Sequence, residues 1–372
     1  MSVPEGVPPR ARFPLLVLGF VSLASGVLGG LLRIGLTSLP APTQAPALHG
    51  ALMVCGFFGT VISLERAVAL GRTWAYAAPL AGGLGGLALL GGTPRAAFLL
   101  LVLAALTLSV ANAAIIRRQP SLESATLAAG AACWLIGNAV LLAQQPVTMA
   151  VPWWIAFFVL TIGGERLELS RYAPRPPAAR HAFVAIAAAV PLTALWAGAL
   201  GSGGWRAQGA TLLLLAAWLW RYDLARITAR QHGLARYIGI CVLSGYLWLA
   251  TGGLALLVGG AIQAGPLYDL ALHALLLGFV FAMVFGHAPV ILPAILRVAI
   301  PYSPVLYLPL ALLHGSLALR VAGDLAGDAM LRIVGAAGNA VAIAVFILTA
   351  ATLALRRRWT KRQKRGQTPV DK

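Results

Sequence analysis

Long apolar stretches succeed one another along almost the whole chain, interrupted only by short polar connectors. A bilayer core about 30 Å deep takes about twenty apolar residues of helix to cross. Runs of that kind fall at residues 13–34, 47–70, 73–92, 94–116, 121–143, 147–169, 179–200, 204–222, 234–263, 267–296, 304–322 and 329–355. The pattern predicts an all-α protein, a polytopic transmembrane helical bundle of about 12 spans forming a single domain over residues 1–355, with a basic cytoplasmic tail over 356–372. No connector is long enough for a folded soluble domain. The opening MSVPEGVPPRARF places two arginines before the first run, and no small-residue cleavage pattern follows, so this run is expected to be a retained span.

Charge gives the bundle a direction. The connectors GRTW, IIRRQPSLE, SRYAPRPPAARHA and RYDLARITARQHGLAR, and the tail RRRWTKRQKRG, all fall at one end, and the other end is nearly neutral. The positive-inside bias then predicts a cytoplasmic N-terminus and C-terminus, with the tail a disordered segment lying on an anionic leaflet. Composition agrees: 60% of residues are hydrophobic and 10% charged, against about 25% charged in soluble domains. The net charge of +18 therefore reads as topological, and no nucleic acid partner is expected beside the lipid bilayer. Three cysteines, Cys55, Cys133 and Cys241, lie singly inside apolar runs, so neither a disulfide framework nor a thiolate metal site is indicated. Runs such as AGGLGGLALLGG predict close helix packing.

The chain also repeats itself. A shift of 100 residues lays FFGTVISLER (57–66) over FFVLTIGGER (157–166), and a shift of 224 lays ALHGAL (47–52) over ALHALL (271–276). Spans two, six and ten are thus alike, which predicts three four-helix units in a pseudo-threefold arrangement.

Ionisable groups inside a membrane are costly and mark candidate functional sites. His49 and His273 each sit a turn or two inside the neutral end of their spans, at repeat-related positions and so at one depth. Two imidazoles at equal depth suit the axial ligation of a b-type haem; the alternative is that each bonds a neighbouring carbonyl. His287 lies fourteen residues beyond His273, about 21 Å along a helix, and cannot serve the same iron; beside Pro289 and Pro293, it is expected to bond backbone. His314, in span eleven, is a candidate for a second metal or haem contact, whereas His181 and His232 fall in or beside basic connectors. A copper–haem oxygen-reducing centre would need further histidines on the middle spans, and spans six to nine have none within the membrane. Arg33, Arg95, Arg206 and Arg320 are candidates to hold propionates, and Arg320 is favoured because its span follows that of His273. Glu65 and Glu165, each followed by an arginine, are expected to form helix-end ion pairs.

At these residues the chain resembles the NnrS family, haem- and copper-associated bacterial inner-membrane proteins linked to nitric oxide metabolism, with a twelve-span layout like that of oxidase subunit I. The resemblance rests on ALHALLLGFVFAM (271–283), ALHGALMVCGFFG (47–59), LTIGGER (160–166) and GYLWLATGGLALL (245–257). It implies haem b held by His49 and His273, a bacterial inner-membrane location, and a part in nitric oxide, nitrosative or redox stress responses, with nitric oxide or a redox protein as partner. Where that family continues with a further His and a Glu, this chain has Gly50, Ala51 and Leu52, so copper is an association without support here. Two other functions fit the sequence: a small-molecule transporter, suggested by the repeats and by Asn112, Asn138, Gln263 and His314, and a non-catalytic assembly subunit.

Overall fold

The computed structural model describes residues 6–36, 45–171, 175–261 and 263–366, and among these it contains helices, turns and no strand. The long helices are α1 (Pro9–Arg33), α2 (Pro46–Leu70), α3 (Thr73–Leu90), α4 (Pro94–Arg118), α5 (Leu122–Leu142) and α6 (Val147–Leu169). They continue with α7 (Pro177–Leu200), α8 (Ser202–Tyr222), α9 (Gly233–Gly259), α10 (Pro266–Leu296), α11 (Pro304–Ala326) and α12 (Ala329–Gly366). Among the described residues, eleven helices are long and apolar enough to cross a membrane, which makes this a multi-pass membrane protein. The exception is α8, of 21 residues, which opens on SGGWRAQ and packs between α7 and α9.

The boundaries follow local chemistry. Proline opens α1, α4, α7 and α10, where its missing N–H costs nothing and its fixed φ suits the first turn. Gly71 (φ 65°) and Gly327 (φ 69°) close α2 and α11 in the left-handed conformation that only glycine adopts freely. Another positive-φ glycine, Gly260 (φ 68°, ψ −136°), stops α9 at Gly259, so Gln263, expected inside a span, stands exposed in a connector. At the other extreme, α12 runs on to Gly366, so the basic run after Arg356 is helical that far and not irregular chain. Arginine, lysine and glutamine are good helix formers, and neither Gly nor Pro interrupts them. Residues 367–372 of the expected tail lie outside the described residues.

Burial picks out the repeat. The apolar cores of α2, α6 and α10 are 67%, 83% and 67% buried, and no other span exceeds 50%. Helices apolar on every face belong at the centre of a bundle, and these three are the spans related by the shifts of 100 and 224 residues. Their equivalent phenylalanines meet there: the Phe58 ring lies 5.0 Å from Phe158 and 5.1 Å from Phe281. The three repeat-related spans thus meet at the centre of the bundle. Around it, the glycines of α3 permit close approach: a Cβ at Gly83 would lie 2.6 Å from Leu18, and one at Gly86 only 2.2 Å from Ser22 Oγ. Large aliphatic side chains on the periphery, such as Leu192 and Val258, face outward, as lipid solvation requires.

Both α2 and α10 contain a π-helical segment, Leu52–Gly59 and Ala274–Phe281, directly beyond their histidines. A π-turn spends about one residue more than an α-turn. The change of phase lets each helix present both its histidine and a phenylalanine eight residues on to the other: His49 lies against His273, and Phe57 against Phe281 at 6.2 Å.

At the basic end the Glu-Arg pairs bond between helices. Arg66 of α2 donates to Glu165 of α6 at 3.2 Å, whereas Arg166 donates twice to Asp223, at 2.9 and 2.7 Å. A third Arg166 nitrogen lies 3.3 Å from His287 Nε2, and His287 Nδ1 bonds the Met283 carbonyl at 2.7 Å. Backbone bonding by His287 is as expected; its arginine partner is additional.

Candidate functional site

A cavity of about 470 Å³ opens between α1, α2, α6, α10, α11 and α12 at the neutral end of the bundle. His49, in the first turn of α2, and His273, in the second turn of α10, both line it. Their ring centroids are 6.2 Å apart and their planes 20° from parallel.

Each ring is oriented through Nδ1. His49 Nδ1 lies 2.6 Å from the Gly26 carbonyl of α1, and His273 Nδ1 lies 2.8 Å from the Asp269 carbonyl one turn back. A carbonyl oxygen only accepts, so in both rings Nδ1 carries a proton and Nε2 is the nitrogen left to face a ligand. No protein hydrogen bond involves either Nε2 among the described residues. The carbonyl-bonded alternative and the ligand reading therefore describe one arrangement, since a metal-binding imidazole characteristically donates its other N–H to a carbonyl or carboxylate.

The fit to haem can be tested on this geometry. Metal–imidazole bonds of about 2.0 Å on both sides of one atom would hold the ring centroids about 6 Å apart, close to the 6.2 Å seen. Among the described residues no group of three or more His, Cys, Asp or Glu side chains is arranged to hold a metal ion. Two neutral imidazoles alone form an incomplete donor set for a bare ion, and suit a macrocycle that brings four donors of its own. The cavity volume lies within the range of about 300–1,000 Å³ common to cofactor and ligand sites.

Charge gathers at the mouth. Asp269, in the first turn of α10, accepts two bonds from Arg320 of α11, at 2.6 and 2.7 Å, and its Oδ1 lies 3.2 Å from His273 Nδ1. Arg320 reaches this position because α12 packs tightly on α11 there; a Cβ at Gly335 would come within 2.5 Å of the Arg320 nitrogen. Arg33 lines the cavity as well, whereas Arg95 and Arg206 do not. Arg332, at the start of α12, is a lining residue that sequence reasoning missed; it approaches Asp324 at 3.9 Å. An isolated arginine at the start of an otherwise apolar run was the signal available.

His314 lies apart from the cavity lining. Its Nδ1 accepts from Trp248 Nε1 at 2.9 Å, and its Nε2 is buried without a hydrogen-bond partner. The structure thus brings together His49, His273 and Arg320, but not His314.

The cavity floor is apolar. Phe58 and Phe281 form part of it, and beneath them the cluster continues through Phe57, Phe157, Phe158 and Phe285 to Phe346 of α12. One wall carries Trp154, whose Nε1 donates to Asn138 Oδ1 at 3.2 Å; Cys55 Sγ donates to the same oxygen at 3.1 Å, and Asn138 Nδ2 to the Leu101 carbonyl at 3.1 Å. This network fixes α2, α4, α5 and α6 to one another behind the wall and leaves the Asn138 amide committed.

Comparison with curated proteins returns no match, and comparison with solved structures returns none either. A family model described as a domain of unknown function (DUF8744) matches residues 12–355, nearly the whole helical bundle, and the chain belongs to that family.

Proposed function

We propose that this chain is a haem-binding protein of NnrS type in the bacterial inner membrane, acting in the response to nitric oxide, nitrosative or redox stress. The observation that carries the proposal is the neighbouring pair His49 and His273, with no protein hydrogen bond to either Nε2 among the described residues and ring centroids 6.2 Å apart in a cavity. The basic connectors and tail support cytoplasmic termini, so the cavity opens on the outer face. His49 and His273 would hold the haem, and Arg33 and Arg332, with the guanidinium edge of Arg320 that Asp269 leaves free, would receive its propionates. Bound there, haem supplies one-electron redox chemistry. The protein's own part is to orient both imidazoles through Nδ1, to keep the site dry on its inner side with the phenylalanine cluster, and to place it within reach of an outer redox partner.

The test is an oxidised and a dithionite-reduced visible spectrum of the detergent-purified protein, made with ample haem, beside the His49→Ala and His273→Ala variants. The expected result is a sharp reduced b-type α band that neither variant retains; a colourless protein overturns the proposal. The cavity also favours a second reading, a small-molecule transporter, because it lies between repeat-related helices and is open at one end. Transport that persists when both histidines are alanine would establish that reading instead.

A further inference from the structure

The two imidazoles are unequal. His49 Nδ1–H meets one backbone carbonyl, that of Gly26. His273 Nδ1–H meets the Asp269 carbonyl and, at 3.2 Å, the Asp269 carboxylate, itself gripped by Arg320 through two bonds. The difference is written in the sequence: the shift of 224 residues that lays His49 on His273 lays Ala45 on Asp269. A carboxylate behind an imidazole fixes its rotation and strengthens it as a metal ligand. His49 stands near the start of its helix with no carboxylate behind it. Its ring is seated over Gly30 of α1, where a Cβ would approach its Cε1 to 2.9 Å.

We propose that His273 is the retained ligand of the site and His49 the exchangeable one, so that a small uncharged molecule, of the size of a diatomic gas, binds on the His49 side. This rests on the haem reading above. With haem bound, His49 would give up its place to the incoming molecule, keeping its Nδ1 proton on the Gly26 carbonyl, and His273 would stay; no electron moves. The class of ligand follows from the lining beside His49: Val27, Met53, Val54 and Ile155 are apolar, and the Trp154 N–H is already committed to Asn138.

The experiment uses the full-length protein in detergent, with haem content, the spin state of the oxidised protein, and the Soret shift of the reduced protein under carbon monoxide as readouts. His49→Ala is expected to keep its haem, become high-spin and bind carbon monoxide more tightly than the parent by about tenfold or more, whereas His273→Ala loses haem affinity by about 10–100-fold. Gly30→Ala retains both histidines and displaces only the His49 ring; it is expected to give a partial high-spin signal and stronger carbon monoxide binding. Free imidazole added to His49→Ala should restore the low-spin spectrum, which shows that the variant is folded. Equal behaviour of the two alanine variants, or haem lost from His49→Ala and kept by His273→Ala, overturns the assignment while leaving haem binding intact. A parent protein without a Soret band overturns the haem reading and this inference with it.

Discussion

Removing the Arg320 guanidinium isolates a carboxylate that the fold otherwise neutralises. In Arg320→Met the Asp269 side chain keeps His273 beside it but loses both charge-assisted bonds, at 2.6 and 2.7 Å. Breaking a buried pair by deleting one partner costs about 3–5 kcal/mol, mostly the penalty of the stranded charge. The Arg320 side chain is 8% exposed and that of Asp269 is 23% exposed. The carboxylate thus retains some access to the cavity, and the lower figure, about 3 kcal/mol, is the appropriate one. At about 2 °C per kcal/mol for a large domain, the melting temperature should fall by about 6 °C. The assay is thermal unfolding in detergent, followed by loss of helical circular dichroism, for Arg320→Met, Asp269→Asn and the double variant. Neutralising both partners strands no charge, so the double variant should recover at least half of the loss. If Arg320→Met melts with the parent, or the double variant is no more stable than the single, the pair does not hold α10 to α11 as described.

At the basic end, Arg166 and Asp223 are 6% and 2% exposed, so Asp223→Asn should cost about 3–5 kcal/mol by the same assay, more than any change at the Arg66–Glu165 contact, whose side chains are 12% and 27% exposed. Gly59→Ala would set a Cβ 2.2 Å from the Trp134 ring and should destabilise by about 1–3 kcal/mol, whereas Gly315→Ala, with nothing within 4 Å, should stabilise by about 0.5–1 kcal/mol; paired thermal scans check the contrast. Phe58→Ala removes the ring shared by α2, α6 and α10 and should cost about 3–5 kcal/mol. Hydrogen exchange should then rise at amides of the π-segments, and unchanged exchange there would count against the central role of that ring.

Much of this arrangement was legible in the chain because a membrane limits the choices. Span length is set by bilayer thickness, so the ends of α2, α6 and α10 fall within a few residues of their apolar runs. The repeat told which spans are central, since residues equivalent under it, such as Phe58 and Phe158, can meet only near a common axis. The equal depth of His49 and His273 followed for the same reason. What escaped was whatever depends on phase or on a partner distant in sequence. LMVCGFFG and ALLLGFVF read as ordinary apolar helix, because packing and not composition selects a π-turn. Asp223, the partner of Arg166, sits in a connector 57 residues away. Trp248, the partner of His314, is 66 residues off. The Asp269–His273 pair did carry a local signal, a carboxylate four residues before an imidazole on one helix face.

The phenylalanines beneath the cavity bear on the electrical life of the protein. They separate His49 and His273 from the Arg166–Asp223–His287 group with a layer in which ring packs on ring from α2 to α12. A charge carried fully across a membrane exchanges about 2.3 kcal/mol with each 100 mV of potential. Charge delivered to the histidines through the cavity mouth traverses only the dielectric above those rings. If haem is held there, charge fed from that side would therefore exchange only a fraction of this energy with the membrane voltage.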